Sequence, residues 1–199
     1  MLEQLIEWDK ELMLAINHAN TPFWDIVMQV ASYKYSIVPI SVLILFLLFY
    51  KQNVKRAFLF VAAIVVTFAI CDSGSTILFK HTIGRLRPCH DPSIMDMVRM
   101  LEYKGGQFGF ISSHAANLFG LAVVSSFAIR RRWYSFFIFG WATLVAYSRV
   151  YVGKHFPGDV ICGAIFGAVV GILIIYITGL IQSKFKQKGC SYKSTKQDT

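Results

Sequence analysis

The chain has 199 residues, of which 55% are hydrophobic and only 16% charged. Soluble domains run nearer ~45–50% apolar and ~25% charged, and a mean hydropathy of +0.52 points away from a soluble globule, a disordered chain or a nucleic-acid module. The net charge of +9 gathers in short segments between apolar runs, which suits membrane topology better than a DNA-binding face.

Residues 2–18 place Leu2, Leu5, Ile6, Leu12, Met13 and Ile16 at helical spacing, with Glu3, Glu7, Lys10 and Glu11 filling much of the other side. The pattern predicts an amphipathic helix, either lying on the membrane surface or packed as a cap on a bundle. Its acidic character does not read as a signal peptide.

Five apolar stretches follow: Ala31–Tyr50, Ala57–Phe79, Ala115–Ile129, Trp133–Tyr147 and Val160–Ile181. A spanning helix needs about 20 residues. The third and fourth reach that length only if they continue through Ser112, Ser113 and His114 at one end and Ser148 and Arg149 at the other. Within the first stretch, Lys34 between Tyr33 and Tyr35 reads as an interfacial anchor whose amine snorkels outward. The predicted fold class is all-α: a polytopic membrane bundle of about five spanning helices plus the N-terminal surface helix. Residues 1–183 read as a single integral membrane domain and 184–199 as a basic, disordered cytoplasmic tail.

Lys51, Lys55 and Arg56, the run Arg130–Arg132, and the lysines of the tail fall on one side of a five-span topology. The positive-inside rule makes that side cytoplasmic. Segments 80–112 and 148–159 then lie outside. In the fifth span, Gly163, Gly167 and Gly171 recur at four-residue steps, a stripe suited to packing within the bundle or to a homodimer. Cys71, Cys89, Cys162 and Cys190 show no CxxC pair and read as small apolar fillers.

Three polar clusters remain. The first contains Lys80 and Arg87, seven apart and therefore near one face if helical, followed by Pro88. Two converging cations suit an anionic ligand, Arg as a planar fork and Lys as a point charge, although a basic flank of a span reads the same. The second is Ile111-Ser112-Ser113-His114, where a helix N-terminus would favour an anion, Ser112 would cap, and His114 could protonate a leaving oxygen. The third runs from Ser148-Arg149 to His155 and Asp159. A helix starting near Pro157 would let Asp159 reach a ring nitrogen of His155, and a turn at Gly153 would bring Arg149 beside it. Asp159 could equally serve as a plain helix cap.

Taken together, K-x6-R-P, S-x-H and S-R-x5-H-x3-D resemble the type 2 phosphatidic acid phosphatases of the acid phosphatase and vanadium haloperoxidase superfamily. The matching region runs from about Asp72 to Asp159. The usual P-S-G-H of the second motif is here Ile111-Ser112-Ser113-His114, which bears on the fine geometry of the phosphate cradle. The resemblance implies a two-step phosphoryl transfer without metal or other cofactor. His155 would be the nucleophile, Asp159 its orienting carboxylate and His114 the general acid and base. Lys80, Arg87, Ser112, Ser113 and Arg149 would hold the phosphate oxygens.

The implied protein is a lipid phosphatase of a bacterial inner membrane, multi-pass, its site facing the exterior. Its partners would be a lipid phosphate and the bilayer, with no nucleic acid. Family analogy points first to undecaprenyl diphosphate, with phosphatidylglycerol phosphate, phosphatidic acid and lipid A as further substrates. A phosphotransferase would use the same pocket. A lipid transporter or scramblase is the non-enzymatic reading, and it has no use for an oriented nucleophile. Residues 94–101 read as an apolar lid hinged at Gly105, Gly106 and Gly109, or as a packed loop, and Asp72 as a supporting carboxylate.

Overall fold

In the computed structural model, residues 1–50 and 53–195 are described, with 184–195 as backbone, and the ordered structure among them is helical. Helix α1 spans Leu2–His18 and α2 spans Pro22–Ser32. Thr21 starts α2 by accepting the Trp24 N–H at 3.2 Å, with Pro22 in the first helical position. A short turn at Lys34–Ser36 leads into α3, Ile37–Phe49. The two segments meet at 70°, so the first expected span is broken at Tyr33–Lys34.

Helix α4, Val54–Gly74, is capped by the Asn53 side chain, which accepts from the Lys55 and Arg56 N–H groups. It continues as a π-helical stretch, Ser75–Lys80, and a last turn α5, His81–Ile83. Gly84, at φ +63°, ends it. Helices α6 (Ser113–Ile129), α7 (Arg132–Tyr151) and α8 (Pro157–Thr195) complete the fold. Because α8 stays helical to Thr195, the segment expected as a disordered tail begins as helix, and only its last four residues lie outside the described ones.

Two helices are long and apolar enough to cross a membrane, Val54–Ile83 and Pro157–Ser183; the bent pair would make a third. Helix α6 is apolar but short. Trp133, Tyr134, Trp141 and Tyr147 make α7 less apolar than its neighbours. By length and composition alone two helices, or three with the bent pair, qualify as spans, against the five expected from sequence.

Helix α6 lies at the centre, against α4, α7 and α8. Apolar burial drives little association inside a bilayer, where close packing and polar contacts matter more. The α6–α8 contact has that character. A Cβ at Gly167 would lie 2.0 Å from the Ala116 carbonyl oxygen, and one at Gly163 would lie 2.5 Å from that of Ser112. The glycine stripe is thus used within one chain, which leaves it no free face for a homodimer. Between α6 and α7, the Tyr134 hydroxyl donates to Ser125 Oγ at 2.8 Å. Outward, α8 presents Ile161, Ile165, Val169, Ile172, Leu173 and Tyr176, all exposed.

Helix α1 behaves as a cap. Met13 and Asn17 are fully buried, whereas Leu2, Leu5, Trp8 and Leu12 stay exposed. Asn17 donates to the carbonyl oxygens of Arg99 and Tyr151 and accepts from the Arg99 N–H. His18 meets the Met97 carbonyl, Gln29 donates to that of Leu101, and Lys10 donates to Ser93. Arg99 is paired with Asp25, which also accepts from the Tyr151 hydroxyl. Residues 94–101 are therefore a packed loop clamped by two helices, with Ile94 buried, and not a free lid.

Candidate active site

The site forms where α4, α6, α7 and α8 end or begin. Lys80 does not reach it by simple α-helical periodicity. The π stretch carries it toward α6, where its Nζ donates to Ser113 Oγ at 2.7 Å, and Ser113 Oγ lies 2.6 Å from Ser75 Oγ. Such π turns recur at functional sites.

Arg87 arrives by a different route from the shared helical face expected. After Gly84 the chain turns extended, and residues 85–87 pair antiparallel with 107–109. Arg87 N–H donates to Gln107 O at 3.0 Å, Gly109 N–H to Arg85 O at 2.9 Å, and Leu86 faces Phe108. Arg87 Nε donates to the Phe108 carbonyl at 3.1 Å, which leaves the rest of the guanidinium free to face the cavity it lines. Of the three glycines expected as hinges, Gly106 has open space around it, and Gly105 and Gly109 are close-approach positions. A Cβ at Gly109 would fall 3.0 Å from Asp159 Oδ2, and one at Gly105, already at φ +74°, would fall 3.0 Å from an Arg87 nitrogen.

The third motif folds as its spacing suggested. Gly153, at φ +85°, turns the chain, and the N–H groups of Lys154 and His155 both donate to the Arg149 carbonyl. Asp159 is fully buried, and its Oδ2 accepts the Phe156 N–H at 3.1 Å. The two readings of Asp159 thus coincide, since this capping bond places the same oxygen 3.5 Å from His155 Nδ1. That separation is beyond a good hydrogen bond, and Nδ1 has no other partner. Burial pushes the His155 imidazole down to about 4; Asp159 pulls it up, while Arg149 and Arg87 push it down. At neutral pH the ring is uncharged, the state a nucleophile requires.

Arg149 is buried and held by the carbonyl and hydroxyl oxygens of Ser32 and, at 3.5 Å, by Glu102. Lys154 binds the same Glu102 at 2.6 Å. Burial pushes the Glu102 carboxyl up, but the hydrogen bonds from Lys154 and Ser32 and the nearby charges bring it below its usual range. Arg87 is lowered, chiefly by burial.

One cavity of about 470 Å³ collects Lys80, Arg87, Ser113, His114, Arg149, Lys154 and His155. The sequence candidates therefore converge, with two differences. Ser112 is fully buried outside the cavity lining, makes no side-chain cap, and leaves its Oγ without a partner; the hydroxyl facing the cavity is that of Ser113. Lys34, expected to snorkel outward, sits at the α2–α3 bend and lines the cavity mouth. Among the described residues, no three His, Cys, Asp or Glu side chains converge on a metal position. The positive charge facing the cavity comes from Lys and Arg.

Sequence reasoning missed Arg85, Asp9 and Glu102. Arg85 donates to Asp159 Oδ1 at 3.0 Å and to Asp9 Oδ2 at 2.6 Å, and its guanidinium lies 4.1 Å over the Phe156 ring. Asp9 also accepts the Gly158 N–H at 2.8 Å, at the start of α8. Asp159 is thereby tied, through one cation, to the N-terminal helix. Only the neighbourhood of Arg85 to Arg87 hinted at this; Asp9 reads locally as one more charge on a polar face.

With this geometry in view, likeness to known proteins is informative. A "Lipid A 4'-phosphatase" of Porphyromonas gingivalis is 35% identical over 190 residues, covering 95% of this chain and 80% of that protein. A "Lipid A 4'-phosphatase" of Bacteroides thetaiotaomicron is 36% identical over 203 residues, covering 98% and 90%. The crystal structure of Aquifex aeolicus LpxE superposes with a TM-score of 0.63 at 27% identity, covering 83% of this chain and 93% of that one. Residues 56–182 match the PAP2 superfamily and enclose every candidate site residue above except Asp9, Ser32 and Lys34, so the chain belongs to that superfamily and is a membrane lipid phosphatase.

Proposed function

We propose that the protein hydrolyses a phosphate monoester on a saccharide lipid of the lipid A type, through a phosphohistidine at His155. The observation that carries the chemistry is His155 itself, an uncharged buried imidazole with Asp159 behind Nδ1 and a cation-lined cavity in front. The substrate class rests on the two relatives above, which align over nearly the whole chain. On that basis undecaprenyl diphosphate takes second place.

In the first step His155 Nε2 attacks phosphorus and the bond to the ester oxygen breaks. His114, protonated as the phosphate dianion binds beside it, gives that proton to the ester oxygen. Lys80, Arg87, Arg149 and Ser113 hold the equatorial oxygens, which is where most rate enhancement arises in phosphoryl transfer. The imidazolium that forms draws Asp159 closer. In the second step His114 takes a proton from water, the water oxygen attacks phosphorus, and the P–N bond breaks to release inorganic phosphate.

The bundle sits in a bacterial inner membrane with the cavity toward the exterior. Helices α6 and α7 complete five crossings, and the loops bearing Lys55, Arg56 and Arg130–Arg132 face the cytoplasm. Two features support this topology. Helix α6 packs against both long apolar helices, and the loops bearing Lys55, Arg56 and Arg130–Arg132 join the helix ends opposite those that carry the site.

The test is phosphate release by purified protein from a panel comprising lipid A 4'-phosphate, phosphatidic acid, phosphatidylglycerol phosphate and undecaprenyl diphosphate. His155→Ala is assayed alongside. Activity on the first that His155→Ala abolishes is expected. Activity surviving that substitution would remove the covalent mechanism, and silence on lipid A with turnover of another lipid would remove the substrate assignment.

A further inference from the structure

Lys154 falls on one of the unspecified positions of S-R-x5-H, and the phosphoryl transfer described above gives it no part. It nevertheless lines the same cavity as His114, Arg149 and His155. A smaller cavity of about 360 Å³ shares His114, Arg149 and Lys154 with the first and adds Glu102. The Lys154 and Glu102 side chains are only 13% and 19% exposed, so they are not an ordinary surface pair.

Glu102 Oε2 lies 2.6 Å from Lys154 Nζ and 3.5 Å from Arg149 Nη1. One carboxylate thus serves two cations and cannot neutralise both. A positive charge is left over on the cavity wall, where a largely buried cation calls for an anion. On Arg149, Nη1 carries every hydrogen bond and ion pair the side chain makes among the described residues, to Ser32 and to Glu102. Lys154 has three donor hydrogens, and its one partner among those residues is Glu102. Both cations therefore keep donors for a ligand.

Several contacts hold this arrangement in place. A Cβ on Gly153, the residue before Lys154, would lie 2.9 Å from both Val98 Cγ1 and Met100 Sδ. Asn17 Nδ2 donates to the Arg99 and Tyr151 carbonyls at 2.8 and 2.7 Å. One side chain thereby ties the loop that carries Glu102 to the helix end that leads into Lys154. Gln29 donates to the carbonyl of Leu101, next to Glu102. An ion pair between two mobile surface chains contributes little. This one joins two segments already fixed against each other, as the placing of groups for catalysis requires.

We propose that Lys154 is a further phosphate-binding residue and Glu102 its positioning residue, setting the Lys154 ammonium beside the Arg149 guanidinium so that both meet the transferred phosphoryl group. Both roles rest on the phosphatase reading above and add two residues to it.

The experiment measures kcat/KM of purified protein in one detergent for p-nitrophenyl phosphate and for the best substrate of the lipid panel above. Inhibition by vanadate, a mimic of five-coordinate phosphorus, is measured alongside. Lys154→Met keeps the stem and removes the charge. It should lower kcat/KM at least about tenfold and weaken vanadate by a similar factor, as for the loss of one hydrogen bond to a charged group. Lys154→Arg, which keeps the charge, should recover most of that loss. Glu102→Gln should lower kcat/KM about fivefold on its own and less than about twofold when combined with Lys154→Met. In the combined variant there is no ammonium left to place, and Ser32 still holds Arg149. Circular dichroism and gel filtration confirm that each variant is folded, and Lys154→Gln decides the matter should Lys154→Met not fold. A folded Lys154→Met within twofold of wild type, or a Glu102→Gln loss of the same factor in both backgrounds, would overturn the proposal while leaving the phosphatase reading intact. The pair would then only hold the loop, and its removal would lower thermal stability alone. A wild-type protein that releases phosphate from no member of the panel would overturn the phosphatase reading and these two roles with it.

Discussion

The two halves of the cavity differ in how their polar groups are held. In the upper half, Lys80 is fixed by Ser113, Arg87 by Phe108, Arg149 by Ser32 and Glu102, and Asp159 by Arg85 and Phe156. In the lower half, Asp72 and Asn117 have no side-chain partner among the described residues. The upper half is organised before substrate arrives, as electrostatic catalysis requires. The lower half has no such network: Asp72 is exposed and Asn117 Oδ1 is packed away without a partner. Losses of activity should therefore follow the upper half.

The largest effect should come from the upper half. His155→Ala should lower kcat by roughly a thousandfold or more and abolish acid-labile labelling from a radioactive substrate. His114→Ala should follow, at about a hundredfold on an alkyl ester. Its loss should be much smaller on p-nitrophenyl phosphate, whose leaving group needs no proton. Equal losses on both esters would remove His114 as the general acid.

The next prediction concerns the chain of charges from Asp9 through Arg85 to Asp159. With His155 near 4, protonation on the acid side removes the nucleophile, so kcat/KM should fall as pH drops through that value. Arg85→Gln removes a cation, which should raise the His155 pKa and move the acid limb to higher pH. Asp9→Asn removes an anion and should move it to lower pH. Each shift should be about half a unit. Shifts of the same sign in both variants would break the proposed coupling. The smallest effect is expected at the clamped loop. Met97→Ser and Met100→Ser should change KM for a long-tailed substrate less than about twofold, as for surface positions generally, whereas a free lid would show a larger change.

These halves were unequally legible in the sequence. The spacing of Lys80, Arg87, His114, Arg149, His155 and Asp159 was enough to group residues that the fold brings together, because each motif is short and local. The path of Arg87 was misread, because the π turn and the 85–87 pairing with 107–109 have no simple periodicity. Helix α2 was overlooked although Thr21-Pro22 is a recognisable start signal. Ser112 and Ser113 were both expected to hold phosphate oxygens, but only Ser113 faces the cavity, since the second motif departs from its usual form just where one residue decides which hydroxyl faces inward. Asp9 and Glu102 were out of reach. Each makes its contact across a long sequence separation, and nothing local distinguishes either from a solvated acid.

Helices α6 and α8 run side by side in the same direction, touching backbone to backbone at Gly163 and Gly167. His114 lies in the opening turn of one, and His155 sits just ahead of the other. The gap between the two histidines is consequently a dimension of the packed helices rather than of any surface loop. Widening that seam by one methyl group would be felt as a change in the spacing of the two imidazoles.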